Sequence, residues 1–116
     1  MNIYHIWCNL KSGVKDIDFS DAAQSYLDHL KENGKLSDYR ITRRKLGLSP
    51  AHLAEFHIML EFETLTQLDN AFTNVSSRAD PVESFHHAVN SKVQDVSFAL
   101  YRDFPDAHRV RGGEKF

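Results

Sequence analysis

The order of its apolar patterns constrains this chain most: strand, helix, strand, then strand, helix, strand again. Alternating apolar residues predict strands at residues 2–9, 38–46, 54–63 and 95–102. The third strand is the most regular, since an apolar residue occupies every second position from Phe56 to Phe62, which predicts one dry face. In 116 residues this pattern leaves room for a single domain, residues 1–116, with an irregular tail over residues 103–116.

Helical patterns fill the spaces between these strands. Apolar residues recur at three- and four-residue spacing from Phe19 to Leu30, and Gly34 is typical of the left-handed residue that ends a helix. Thr64, followed three residues later by Gln67, predicts the start of a second helix. A further helix is predicted after this second one.

The third helix is predicted from a start signal in the middle of the second half. Asp80 is placed as its N-cap, Pro81 lies in its first turn, and Glu83 completes a capping box. Right-handed crossovers would put all three helices on one face of one sheet. The sequence therefore predicts an α+β fold, a ferredoxin-like βαββαβ two-layer sandwich with an extra helix after the second helix.

The first strand can face the helices in two ways. Tyr4, Ile6 and Cys8 form its more apolar set, so we assign them to the helices, which sends His5 and Trp7 to the opposite face. The reverse facing stays open at this point.

The sheet face without helices is predicted to mix large apolar side chains with charges. It would hold His5, Trp7, Arg40, Thr42, Arg44, His57, Met59, Glu61, Ser97, Ala99 and Tyr101. A solvated face seldom carries so much apolar surface, and a monomer core would not leave arginines unpaired. The pattern therefore favours a homodimer in which the two sheets face each other. The alternative is a sheet face that is simply solvated.

Composition excludes several classes of partner. The net charge is −2, which argues against nucleic acid, whose binding depends on excess Lys and Arg. No segment approaches the roughly 18 apolar residues of a membrane span, so no membrane partner is expected. The single cysteine, Cys8, lies in an apolar strand and predicts a buried reduced thiol, which is typical of a cytoplasmic protein.

Three segments carry a resemblance to known proteins: residues 2–8 (NIYHIWC), 42–47 (TRRKLG) and 98–105 (FALYRDFP). Through them the chain resembles the dimeric α/β-barrel superfamily of ferredoxin-like proteins and, more closely, a small bacterial family of uncharacterised proteins. The resemblance implies the fold and the dimeric α/β barrel, but no particular activity. The wider superfamily includes cofactor-independent monooxygenases, small isomerases, haem-handling enzymes and stress-response proteins, so fold does not fix function.

The candidate catalytic residues are His5 and His57. The expected strand order places them on neighbouring central strands, where histidine can take a proton from a bound substrate or give one to it. The candidate substrate-binding residues are Trp7, Arg44, Met59 and Tyr101. The structural alternative is a pair of histidines hydrogen-bonded inside a dimer.

Two further clusters have structural alternatives. The basic residues are Arg40, Arg43, Arg44 and Lys45, and they could bind an anion or pair with Glu55, Glu61 or Glu63. The Glu83-x-x-His86 pattern is half of a di-iron motif, but the remaining ligands are missing, so no metal site is predicted.

The function predicted from the sequence is binding or transformation of a small organic molecule without a bound cofactor, in a monooxygenase-like or isomerase-like manner. The alternative is a non-catalytic dimeric interaction or regulatory module. No nucleotide-binding, zinc or nucleophile-elbow motif is present to favour another chemistry. The tail after Asp103 could cover the mouth of a pocket, contact a partner subunit or lie in solvent.

Overall fold

The computed structural model describes residues 1–106, 109 and 111–112. Its elements are β1 (Asn2–Leu10), α1 (Asp16–Glu32), β2 (Asp38–Arg43), β3 (Phe56–Phe62), α2 (Leu65–Ser76), α3 (Val82–Asn90) and β4 (Val93–Arg102). The four strands form one antiparallel sheet in the order β2-β3-β1-β4. This is the predicted ferredoxin-like α+β arrangement with an extra helix, and the sheet of the single chain is open rather than closed into a barrel.

The helix boundaries follow local capping chemistry. Gly34 has a φ of +71°, which only glycine adopts readily, and α1 ends just before it. The Thr64 hydroxyl accepts a hydrogen bond from the Gln67 backbone N–H at 3.1 Å, as the capping pattern predicts. At α3 the predicted N-cap is wrong, because the helix begins at Val82 and Pro81, not Asp80, is its N-cap. Asp80 Oδ1 instead accepts from the backbone N–H and the hydroxyl of Ser84, at 3.2 and 2.6 Å, since both reach the carboxylate from the first turn of the helix.

The strands differ from the predicted ranges at their ends. β2 stops at Arg43 rather than residue 46, because Leu46 and Gly47 both have positive φ and turn the chain away from the sheet. β4 begins at Val93, two residues earlier than predicted, and its register with β1 shifts beyond Trp7. Asp95 has a φ of +56° within this irregular segment, which breaks the alternation from which strand starts are recognised.

The hydrophobic core lies between the sheet and the helices. Phe19 of α1 is completely buried and packs edge-on against Phe56 of β3, with ring centroids 5.0 Å apart. Cys8 is buried in the same cluster, which places Tyr4, Ile6 and Cys8 on the helix side as predicted for the first strand. Burial raises the pKa of the Cys8 thiol to about 11, so this side chain stays a neutral thiol.

The helices leave the helix side of β4 partly open. Phe98 stacks on Tyr4 at 5.7 Å and therefore faces the helices, yet it is 60% exposed. Leu100, two residues along the same face, is 53% exposed. Alternation along β4 predicts that these residues form a covered floor beneath the helices, but the helices leave them open, and the gap above them forms a cleft.

Candidate functional site

A cleft of about 620 Å³ lies between the sheet and the helices, at the side where β4 is uncovered. Its floor comes from strand residues that include Ile6, Ile58 and Phe98. Its walls come from α1, α2 and α3. A cavity of this size is within the usual range for small-molecule sites, roughly 300–1,000 Å³.

Most polar groups of the cleft are on its helical walls. Tyr26 lies on α1, Asp69 and Thr73 lie on α2, and His86 lies on α3. The ring of His86 packs edge-on against that of Tyr26, with centroids 5.9 Å apart. Burial raises the pKa of the Tyr26 phenol to about 12, so it remains a hydrogen-bond donor near neutral pH. A ligand would thus meet an apolar sheet on one side and hydrogen-bonding groups on the other.

The opposite face of the sheet carries the predicted histidine cluster. His5 Nδ1 and His57 Nε2 are 2.8 Å apart, a hydrogen bond in which one ring donates and the other accepts. Trp7 stacks on His57 with centroids 4.5 Å apart, and Tyr101 meets the His5 ring edge-on at 5.0 Å. This hydrogen bond occupies one ring nitrogen of each histidine.

Strand pairing explains which predicted residues meet. Trp7 is opposite His57, and His5 is opposite Met59, so all four side chains share the face without helices. Arg44 is separate from them: it follows the end of β2, and its Nη1 donates to the Ser49 hydroxyl at 3.2 Å. None of the predicted site residues lines the cleft, which is on the other side of the sheet.

The pKa values of both histidines are lowered. Partial burial lowers the pKa of His5; partial burial and then the charge of His5 lower that of His57. Because the pKa values of the two histidines are lower in the folded protein, the unfolded chain takes up protons more readily. Their contribution to the stability of the folded protein is therefore complete above about pH 6.5 and is lost as the pH falls below that value. The same face carries Arg40 opposite Met59 and Glu61 opposite Ile3, which add one charge of each sign.

We therefore predict that the unfolding free energy falls between about pH 6.5 and pH 5, and that H57Q reduces this fall because glutamine does not titrate. Urea unfolding of both proteins at a fixed protomer concentration measures the two slopes. H52Q is the matched control, because His52 is exposed and lies outside the histidine pair. Equal slopes for H57Q and wild type would show that the pair contributes no pH dependence.

The basic run, which comprises the four basic residues between positions 40 and 45, does not act as one cluster, because its members make separate contacts. Arg43 pairs with Asp16 at 2.9 Å and with the predicted partner Glu55 at 3.3 Å, and its guanidinium lies over the Phe56 ring at 5.1 Å. Arg40 is on the other face, opposite Met59. The run therefore does not converge on one anion site.

In the part of the chain that the structure describes, no group of three or more His, Cys, Asp or Glu residues is arranged to hold a metal ion. None of the described helices is both long and apolar enough to cross a membrane.

Sequence reasoning missed the polar residues of the cleft. The helical spacing predicts Tyr26 as a core residue on the apolar face of α1, and the Glu83-x-x-His86 pattern suggests only metal binding for His86. A usable signal was present, because His86 follows Val82 by four residues and precedes Val89 by three, which puts it on the inner face of α3. Asp69 likewise follows Leu65 by four residues and precedes the cleft residue Phe72 by three.

The strand order and the cleft beneath the helices define the chain as a ferredoxin-like α+β domain. It belongs to a family of unknown function, DUF6614, whose model matches residues 1–116. A comparison with curated proteins finds no match.

Solved structures share the fold at low sequence identity. A dimeric ferredoxin-like protein of unknown function from Jannaschia sp. CCS1 has a TM-score of 0.65 and 10% identity, over 89% of this chain and 100% of that one. SnoaB, a cofactor-independent oxygenase from Streptomyces nogalater, has a TM-score of 0.65 and 5% identity, over 93% and 98%. A hydroxynitrile lyase from Passiflora edulis has a TM-score of 0.65 and 13% identity, over 90% and 96%.

Proposed function

We propose that the cleft between the sheet and the helices binds a small, mostly apolar organic molecule. The observation that carries the proposal is the cleft itself, about 620 Å³ with an apolar floor and a few hydrogen-bonding groups on its walls. The exposed rings of Phe72 and Phe98 at its edge add apolar surface that a ligand would remove from water.

Any chemistry at this site would be of the cofactor-free kind, monooxygenase-like or isomerase-like. The imidazole of His86 can exchange a proton with a ligand, and the phenol of Tyr26 can donate a hydrogen bond to it. The fold supports such activities elsewhere, since the Streptomyces protein is a cofactor-independent oxygenase and the Passiflora protein is a hydroxynitrile lyase. Those relatives support the proposal only as analogy.

Blocking the cleft tests the binding proposal. T73W places a large ring on the α2 wall, and we expect it to weaken binding of the neutral probe naphthalen-2-ylmethanol by roughly tenfold or more, equivalent to about 1.4 kcal/mol. T66W is the matched control, because Thr66 is an exposed residue of the same helix that does not line the cleft. Isothermal titration calorimetry measures both affinities. No saturable binding to the wild type, or equal binding to both variants, would contradict the proposal.

We further propose that a second copy of the chain covers the open face of the sheet. This face presents a large apolar and aromatic surface, which consists of half-buried Trp7, His5 and Met59 and of exposed Tyr101. Arg40 and Glu61 lie on the same face and could pair across a two-fold axis. The dimeric Jannaschia relative supports this arrangement by analogy.

In this proposal His5 and His57 stabilise the dimer, and their catalytic role stays a prediction, as do the substrate-binding roles of Trp7, Arg44, Met59 and Tyr101. The mutual hydrogen bond favours the structural role, and with it the alternative of a non-catalytic dimeric module. The H5Q/H57Q double variant separates the two, since unchanged probe binding would speak against a ligand site at this face. The neutral, buried thiol of Cys8 fits the cytoplasmic location that we also propose.

A further inference from the structure

We infer that the ligand of the cleft is an apolar compound whose polar group is neutral or a protonated amine, and that the cleft rejects carboxylates and phosphates. This inference rests on the proposed binding function and adds the chemical class of the ligand. It starts from the charges around the cleft. No Lys or Arg side chain is among the described residues that line it, and the only carboxylate there is that of Asp69.

The carboxylate of Asp69 is available to a ligand. It lies exposed on α2, and it forms no hydrogen bond or ion pair with any other residue that the structure describes. Phe72 and Thr73 follow it by three and four residues, so the carboxylate lies on the stretch of helix that forms the cleft wall. An unpaired negative charge at this position attracts a cation and repels an anion.

The aromatic rings at the same side of the cleft act in the same direction. Tyr4 meets Phe72 edge-on at 5.1 Å and stacks on Phe98 at 5.7 Å, which gives a cluster of three rings. The faces of such rings attract ammonium groups and do not stabilise carboxylates. The cluster therefore adds a second, independent preference for a cation over an anion.

An anionic ligand would also meet no lysine or arginine among the described residues of the cleft. A carboxylate moved from water into an apolar cleft needs a cation or several hydrogen bonds to offset the loss of hydration. The guanidinium of Arg43, on the helix side of β2, is already paired with Asp16 and Glu55. The hydroxyl groups of Tyr26 and Thr73 can serve a neutral polar group without any such charge.

Three probes with the same ring test the inference: naphthalen-2-ylmethanamine, which is cationic, naphthalen-2-ylmethanol, which is neutral, and 2-naphthoate, which is anionic. We expect the amine to bind at least as tightly as the alcohol, and 2-naphthoate to bind roughly tenfold more weakly or worse. D69N should reduce the ratio of amine to naphthoate affinity by roughly three- to tenfold. D21N is the matched control, because Asp21 is an exposed α1 residue outside the cleft and its loss changes the net charge equally.

The outcomes separate the inference from the function on which it rests. If 2-naphthoate binds as tightly as the amine, and T73W weakens its binding, the cleft binds ligands but the inference is wrong. If D69N and D21N change the affinity ratio equally, the role of Asp69 is overturned. If no probe binds in a manner that T73W weakens, the proposed function itself fails.

Discussion

Replacing Phe19 with alanine should destabilise the folded protein by about 3–5 kcal/mol. Phe19 is completely buried between α1 and the sheet, and its ring packs edge-on against Phe56 at 5.0 Å. The substitution removes apolar contacts and leaves a void that the surrounding side chains fill only in part. Because domains of this size are stable by about 5–15 kcal/mol, this loss is a large share of the total. Urea unfolding at a fixed protomer concentration measures it.

F98A is the matched control for F19A. It deletes the same ring from a residue that is 60% exposed, so we expect it to cost less than about 1 kcal/mol. Should F19A fail to fold, F19L offers a milder test, for which a loss of about 1–1.5 kcal/mol is expected. Equal losses of unfolding free energy for F19A and F98A would contradict this account, in which the core is centred on α1 and does not extend to Phe98 of β4.

The second large effect concerns the proposed dimer. Ala99 is opposite His5 on β4, on the face without helices, so A99K would place an ammonium group inside the proposed interface. Burying an added ammonium group is costly enough to separate the subunits, because the group loses its hydration in the interface and Glu61 is already the proposed partner of Arg40. We expect wild type to sediment at twice the mass of the 13.3 kDa chain and A99K to sediment as a monomer. Analytical ultracentrifugation measures both masses.

L100K is the matched control for A99K. Leu100 is the next residue of the same strand and points to the helix side, where it is already 53% exposed. L100K should therefore remain a dimer. A monomeric L100K together with a dimeric A99K would place the interface on the helix side of the sheet, contrary to the proposal.

The strands were predictable because half-buried strands alternate, as in β3, where Phe56, Ile58 and Leu60 are all buried. Strand order then predicted that His5 and His57 are neighbours, since β1 and β3 pair at the centre of the sheet. The 2.8 Å bond between them was not predictable, because it depends on ring orientations that no sequence pattern encodes. Of the two roles proposed for this pair, catalytic and structural, only the structural role included a hydrogen bond between the histidines.

The dimensions of the cleft were not predictable in the same way. Its volume depends on how far α2 and α3 stand from β4, and that distance is a property of packing between elements that are distant in sequence. The alternation of β4 marks Phe98 as a core residue, yet the helices do not cover it. The end of β2 was missed for a local reason, since the positive φ of Leu46 is uncommon for a non-glycine residue.

The tail after β4 starts beside β1. Asp103 pairs with the amino terminus of Met1 at 3.2 Å, which fixes the start of the tail beside β1. The tail has two aromatic rings that would favour docking, and one of them, Phe104, is exposed. The other, Phe116, lies outside the described residues.

The most direct test of ligand placement is an NMR titration of the isotope-labelled protein with naphthalen-2-ylmethanol, followed through amide and indole chemical shifts. The chain has one tryptophan, so the indole N–H of Trp7 reports on the open face by a single signal. We expect the largest shifts at cleft residues such as Ala23, Val89 and Val93, and little change at Trp7. Largest shifts at Trp7 and His5, with the cleft residues unaffected, would contradict binding in the cleft and place the ligand on the histidine face.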